Sequence, residues 1–354
     1  MTSRDIELQS DRIQTLGLLL IDGFALMSYA SVVEPFRAAN SLADRLLYRW
    51  RHVSTGGRVA TASNGASILA DSDVGEDLPC DMLFVFAAGD PVRFNDARTF
   101  AWLRHMATRD VQIAGVSGGP FLLAQAGLLD GYRSTIHWQH QEAYRAAFPR
   151  LVVETGLYVI DRRRMTCAGG TAGLDLALQL VERDRGQPLA NRVSDWFIRT
   201  EPRFAQGPQR LSVRERFGVS DDRILKTLAA MEANIEEPHA RSWLANLADL
   251  SVRQLERHFA SHLGASVSQT YMRIRLDHAA HLLRTTSATM TDIALACGFA
   301  SSSHFSRAFK DHFGRRPTQH RNRNVELAQS DHSRQLLLDH SRQAGPKDFA
   351  EGIA

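Results

Sequence analysis

Cysteine is scarce in this chain of 354 residues: Cys80, Cys167 and Cys297 stand far apart, with no C-x-x-C pair and no paired histidines at ligand spacing. That scarcity excludes a disulfide framework and offers no zinc site. The thiols read as small buried residues in a reducing compartment, and no metal or other cofactor is expected. Long apolar runs are missing too. Residues 16–21 form a run of only strand length, stopped by Asp22-Gly23, so neither a signal peptide nor a membrane span is expected and a cytoplasmic location is implied. Strong net charge is also absent, at +3 overall. The balance is uneven, however: residues 221–325 carry 14 basic against 10 acidic side chains and so hold the whole excess. Such a modest excess implies a salt-sensitive but not dominating attraction to phosphate, leaving base contacts a large share of any affinity for nucleic acid.

What the chain does contain is a repeat. Ser251-x-x-x-Leu255-x-Arg257-x-Phe259-x-x-His262-x-Gly264 recurs as Ser301-x-x-x-Phe305-x-Arg307-x-Phe309-x-x-His312-x-Gly314, every anchor displaced by 50 positions. Bulky apolar residues at 255, 259 and 263, and at 305, 309 and 313, step by four and mark the buried stripe of a helix. Before each copy comes a short helical segment with a small residue, Ala245 or Ala294, then a tight turn and a Ser N-cap. This is a helix-turn-helix, twice. Gly298 suits the left-handed turn position, and Asp249 fills its counterpart. The solvent faces offer Arg253, Glu256 and Arg257 in the first copy and Ser302, Ser303, Ser306, Arg307 and Lys310 in the second. Arg donates two hydrogen bonds to guanine, Glu accepts from cytosine, and Ser does either, so these residue types at these positions suit reading of double-stranded DNA, with Lys310 on phosphate.

Residues 221–325 resemble the DNA-binding domain of the AraC/XylS family, most specifically through Asp292-Ile-Ala, Cys297-Gly-Phe, Ser303-His-Phe-Ser-Arg-x-Phe-Lys310 and Gly314-x-x-Pro317. The resemblance implies two recognition helices joined by a long linker helix, here from Val267 to Arg284, that enter successive major-groove segments about 34 Å apart. Val267 replaces the Pro that the first copy usually carries.

In the first two hundred residues, strand-length apolar runs at 16–21, 50–54, 82–86 and 112–116 alternate with helical stretches at 30–40, 99–108 and 120–128. That alternation predicts an α/β domain, a flavodoxin-like parallel sheet with helices on both faces, followed by the all-α domain of the two helix-turn-helix motifs. Ligands of such sheets bind beyond the carboxyl ends of the strands, which directs attention to Asp22-Gly23-Phe24 and Ser117-Gly118-Gly119. Gly115-Val-Ser117-Gly-Gly119 fits a nucleophile elbow between strand and helix. An α/β-hydrolase would need an acid and then a late His, whereas His137 follows Ser117 by only 20 residues. The backbone N–H groups after Ser117, Gly118 among them, form a seat for a carboxylate at a helix start, with Ser117 and His137 as further donors. Phe24, Tyr29, Phe86, Phe121 and Trp138 are expected to rim the mouth, where ring faces with few acids suit a quaternary ammonium. Gly169-Gly-Thr-Ala-Gly173 lacks the Lys-Ser/Thr of a P-loop and reads as close helix–sheet packing.

Residues 13–186 are similar to the PfpI-type, class I glutamine-amidotransferase-like domain, through residues 18–24, 33–40, 113–124, 126–131, 135–138 and 166–175. Catalytic relatives carry Cys at the elbow and an acid from the first strand–helix turn. Here those places hold Ser117 and, near the turn, Ser28, so the resemblance implies a retired enzyme. Fused to the repeat, the chain resembles the GlxA-type regulators, in particular the subgroup governing use of glycine betaine, carnitine and arginine. The expected organisation is a flexible N-terminus at 1–12, a sensing domain at 13–199, a linker at 200–220, the DNA-binding domain at 221–325 and a disordered tail at 326–354. The expected partners are promoter DNA, a small effector, RNA polymerase and a second copy of the chain, with activation rather than repression. Two alternatives stand beside it: a Ser117/His137 hydrolase or amidase fused to a DNA-binding domain, and a constitutive DNA-binding protein whose front domain only dimerises.

Overall fold

The computed structural model describes residues 12–286 and 288–321. The segment before Arg12 and the expected tail at 326–354 lie outside the described residues. The chain divides into two units, Met1–Ser212 and Val213–Ala354.

The first unit contains β1 (Gln14–Leu20), α1 (Leu26–Ala43), β2 (Tyr48–Ser54), β3 (Val59–Thr61), β4 (Ser67–Leu69), β5 (Ser72–Asp73), β6 (Met82–Ala87), α2 (Ala97–Thr108), β7 (Gln112–Ser117), α3 (Gly119–Gln125), β8 (Arg133–Ser134), α4 (Gln141–Ala147), β9 (Val152–Val153), β10 (Tyr158–Asp161), β11 (Arg164–Cys167), α5 (Ala172–Arg185) and α6 (Gln187–Trp196). Seven strands form one sheet in the order β10-β11-β7-β6-β1-β2-β5, parallel except for the antiparallel edge pair β10 and β11. The central strands β1 and β6 are buried at nearly every position because both faces are covered. Successive side chains alternate, so Leu16, Leu18, Phe84 and Phe86 enter one core with α1, α5 and α6, while Leu19, Leu83 and Val85 enter the other with α2 and α3. The expected α/β architecture is the one observed.

The second unit is helical: α7 (Val213–Phe217), α8 (Asp222–Ala233), α9 (Arg241–Leu247), α10 (Val252–Leu263), α11 (Val267–Thr285), α12 (Met290–Ala296) and α13 (Ser302–Phe313). It has two cores. Val267, Tyr271 and Ile274 of α11 belong to the first with Leu244, Leu255 and Phe259, and Leu276, Ala279, Leu282 and Leu283 to the second with Ile293, Phe305 and Phe309. One 19-residue helix, about 28 Å long at 1.5 Å per residue, therefore forms part of both helix-turn-helix cores and fixes their separation.

Candidate nucleic-acid interface and sensor site

The two recognition helices start from side-chain caps. Ser251 forms a capping box with Gln254, and the Ser301 hydroxyl accepts from the His304 N–H at 3.2 Å. Their apolar stripes are fully buried at Leu255 and Phe259, and at Phe305 and Phe309. Both turns take the left-handed backbone, Asp249 with φ 54° and Gly298 with φ 70°. At Gly298 a Cβ would also sit 2.7 Å from the Ile235 carbonyl oxygen, so that turn requires glycine twice over. Arg253, Arg257, Arg307 and Lys310 all lie exposed, and among the described residues none of the four has a carboxylate partner. Ser303 is exposed, and Ser302 and Ser306 are half-buried on the same helix.

Glu256 departs from its expected part. One carboxylate oxygen accepts from the Val267 N–H at 3.0 Å, and the other lies 3.5 Å from Arg241. It caps the first turn of α11 rather than facing a cytosine. The second copy explains why: its counterparts are Ser306 and Pro317, and a proline has no N–H to satisfy. The sequence carried a readable signal for this pairing: where the first copy has Glu256 and Val267, the second has Ser306 and Pro317, so the carboxylate and the free N–H are present or absent together. Arg275 of α11 was missed entirely. It donates to the carbonyls of Cys297 at 2.7 Å and Gly298 at 2.6 Å, with its guanidinium 4.3 Å above the Phe299 ring, and so ties the linker helix to the second turn.

In the first unit Ser117 ends β7 with φ 61°, a left-handed serine at the strand-to-helix turn. Glycines make room for that turn: a Cβ on Gly119 would lie 2.1 Å from the Val85 carbonyl oxygen, and one on Gly169 would lie 2.6 Å from Ser117 Cβ and 2.8 Å from Ser28 Oγ. Ser28 and Ser117 thus face a common point. The Ser28 hydroxyl accepts from the Gly170 N–H at 2.8 Å, and Ser31 donates to the Gly170 carbonyl at 2.6 Å. His137 Nδ1 accepts from the Gln139 N–H at 3.3 Å, and burial lowers the imidazole pKa, favouring the neutral ring. No hydrogen bond joins Ser117 to His137 among the described residues.

A helix-turn-helix domain model matches residues 244–323, and the DJ-1/PfpI family model matches residues 17–183. The chain is 41% identical over 315 residues to the HTH-type transcriptional regulator GlxA of Rhizobium meliloti, an alignment covering 89% of this chain and 97% of that protein. It is 40% identical over 309 residues to the regulator CdhR of Pseudomonas aeruginosa, covering 87% and 91%. To GbdR of the same species it is 38% identical over 313 residues, covering 88% and 85%. The chain belongs to the AraC-type transcriptional regulators of the GlxA group. As a member it is a DNA-binding transcriptional regulator with a DJ-1/PfpI-like domain in front.

For a GlxA-type regulator, the front domain differs from the expected ligand seat in two respects. Gly118 is no free donor, since its N–H is already bonded to the Ala87 carbonyl at 2.8 Å. The five aromatics also do not form one cage. Phe24, Tyr29 and Phe86 pack edge to face on one side of the sheet, with Phe24 and Phe86 essentially inaccessible. Phe121 lies in the other core against Tyr144 and Phe148. Composition could not separate these rings, because which face a ring takes depends on strand parity and on the side each helix covers. Trp138 alone is well exposed, at 36%, and Arg210 already lies over its ring at 4.4 Å. Sequence reading also missed His52. Its Nε2 lies 2.8 Å from the Tyr29 hydroxyl, burial holds its pKa below the ordinary value against the pull of Asp71, and burial raises Tyr29 to about 12. The glycine-rich run packs closely, but only in part as the helix–sheet packing expected: Gly169 meets Ser117 at the end of β7, whereas Gly173 meets Ser31 and Val32 of α1, a helix–helix contact.

Residues 200–212, the first part of the expected linker, are fastened to the first unit. Arg199 and Arg203 both pair with the buried carboxylate of Asp175, and the Ala205 carbonyl accepts from the Leu157 N–H at 2.7 Å. Among the described residues no helix is long and apolar enough to cross a membrane, and no three His, Cys, Asp or Glu side chains are grouped to hold a metal ion.

Proposed function

We propose that this regulator is a one-component sensor: Arg253, Arg257, Ser302, Ser303, Ser306 and Arg307 read base edges in two major-groove segments, Lys310 neutralises phosphate, and the front domain binds a small metabolite without turning it over. The observation that carries the DNA half is the set of four cations without carboxylate partners on two recognition helices fixed by one shared helix. Unpaired exposed cations cost less to bring to phosphate or guanine than paired ones, which must first give up their carboxylates.

For the front domain, Ser stands where a thiolate would be generated and Ser28 stands near the place of an acid, so neither an activated nucleophile nor its partner is supplied. An amine or amino-acid-like effector, with glycine betaine or carnitine as the leading candidates, fits the resemblance to the betaine, carnitine and arginine subgroup. Ser117, His137 and Trp138 remain the contact candidates. We place the protein in the cytoplasm, as a homodimer that activates transcription together with RNA polymerase.

A thermal-shift panel of glycine betaine, dimethylglycine, carnitine and arginine tests the sensor reading. A ligand at 100 times its Kd adds about 2.7 kcal/mol of stability. One member should raise the midpoint of the first unit without being consumed. Steady conversion of any of them, abolished by Ser117→Ala, would establish the hydrolase instead.

A further inference from the structure

The segment that leads into the DNA-binding unit is bound to the loop that carries His137 and Trp138. Gln209 Nε2 donates to the Gly156 carbonyl at 2.7 Å, the Ile136 carbonyl at 3.1 Å and Thr135 Oγ1 at 3.2 Å. Thr135 is itself buried and donates to the same Gly156 carbonyl at 2.8 Å. A Cβ on Gly156 would sit 2.3 Å from the Ala205 carbonyl oxygen, so the glycine is what lets the strap pass. One residue further on, the Arg210 guanidinium lies 4.4 Å from the centre of the Trp138 ring. Residue 213 begins the second unit.

An aromatic face that already holds a cation is a cation site with an internal occupant. Arg210 and Trp138 are both solvent-exposed, which puts the contact at the weak end of its kind and makes it exchangeable. We propose that residues 205–210 are a latch: Arg210 occupies the cation-binding face of Trp138 until a cationic effector displaces it, and the freed strap changes how the second unit binds DNA. A free ligand can shift this equilibrium because the ring face that Arg210 covers is open to it only in the unlatched arrangement. This rests on the reading of Trp138 as an effector contact, and it assigns the effector a positive charge.

The test uses the full chain and a duplex selected from a random pool by the wild-type protein. Arg210→Ala should raise amide exchange across 205–212 by about fivefold or more and shift affinity for the duplex by a similar factor with no effector present, the size typical of allosteric coupling. Arg210→Lys, which keeps a cation on the ring, should stay near wild type. In the wild type, tetramethylammonium chloride or glycine betaine should raise exchange across 205–212, where sodium chloride of equal ionic strength does not. Unchanged exchange and DNA affinity in Arg210→Ala would overturn the latch whatever the effector is. A cation that raises the thermal midpoint yet leaves 205–212 unaltered would overturn it as well, by showing the effector seated elsewhere. If neither quaternary ammonium compound affects the wild type or Arg210→Ala, the effector with a positively charged group fails, while the DNA affinity of Arg210→Ala still decides the strap.

Discussion

Glu256 and Val267 show how a single hydrogen bond can decide what a residue is for. A carboxylate on a recognition helix invites a base-reading role, yet here it satisfies the first N–H of α11, which Pro317 in the second copy does not possess. Glu256→Ala should cost about 1 kcal/mol, the usual worth of a helix cap, and speed exchange of the Val267 amide about fivefold. In a Val267→Pro background the same change should cost almost nothing. A double-mutant cycle with additive costs would rule out the pairing. His52 and His137 give a second prediction at this scale. Burial lowers both pKa values, so the unfolded chain binds more protons than the folded one between the two states' pKa values. Their contribution to stability is therefore complete above the unfolded value of about 6.5 and is lost as pH falls from there toward each folded pKa. The midpoint of the first unit should fall on acidification from pH 7 to pH 5, and less steeply in His137→Gln. Equal slopes for the variant and the wild type would show that His137 does not contribute.

The turns of the two helix-turn-helix motifs pose one problem and solve it differently. Both need a left-handed residue, and left-handed backbone costs an L-residue about 1–2 kcal/mol, somewhat less for Asp, whose side chain bonds locally. Asp249 is exposed, so Asp249→Gly should stabilise the second unit by roughly 0.5–1 kcal/mol. Gly298→Ala should destabilise by more than that gain, since its Cβ would also meet the carbonyls of Ile235 and Glu236 at 2.7 and 2.8 Å. Thermal unfolding of both variants checks the sign of each, and a gain from Gly298→Ala would mean that the 234–238 segment yields. These turns were legible in the sequence because each holds, between its small-residue helix and its Ser N-cap, a residue type that tolerates that backbone, an aspartate and a glycine 49 rather than 50 positions apart. The linker helix was legible for a similar reason: Ser266 and Gln269 form a capping box at its start, which does not need the missing proline. The anchoring of α11 by Arg275 was not legible, because its acceptors are backbone carbonyls that any residues could supply.

For the molecule as a whole, what could be read ahead was whatever repeats or alternates: the parallel sheet, the two helix-turn-helix units, the elbow at Ser117. What escaped was assembled from unlike pieces far apart in sequence, such as Gln209 on Thr135, Ile136 and Gly156, where no periodicity marks the partners. The mild net charge has a consequence at this scale. Arg253, Arg257, Arg307 and Lys310 are the cations without carboxylate partners on the recognition helices, so one copy releases at most about four counterions through them. At about 0.9 per phosphate neutralised, the logarithm of DNA affinity should fall with the logarithm of salt with a slope no steeper than about −3.6 for one copy and about −7 for two. Fluorescence anisotropy across about 50–200 mM salt on the selected duplex measures it. Lys310→Ala should flatten the slope by about 1 per bound copy and weaken cognate and scrambled duplexes alike, while Arg257→Ala or Arg307→Ala should cost about 1–3 kcal/mol on the cognate site alone. Equal losses on both duplexes for the arginines would move them from base edges to backbone. A slope well beyond −7 would then require cations outside these two helices to reach the DNA.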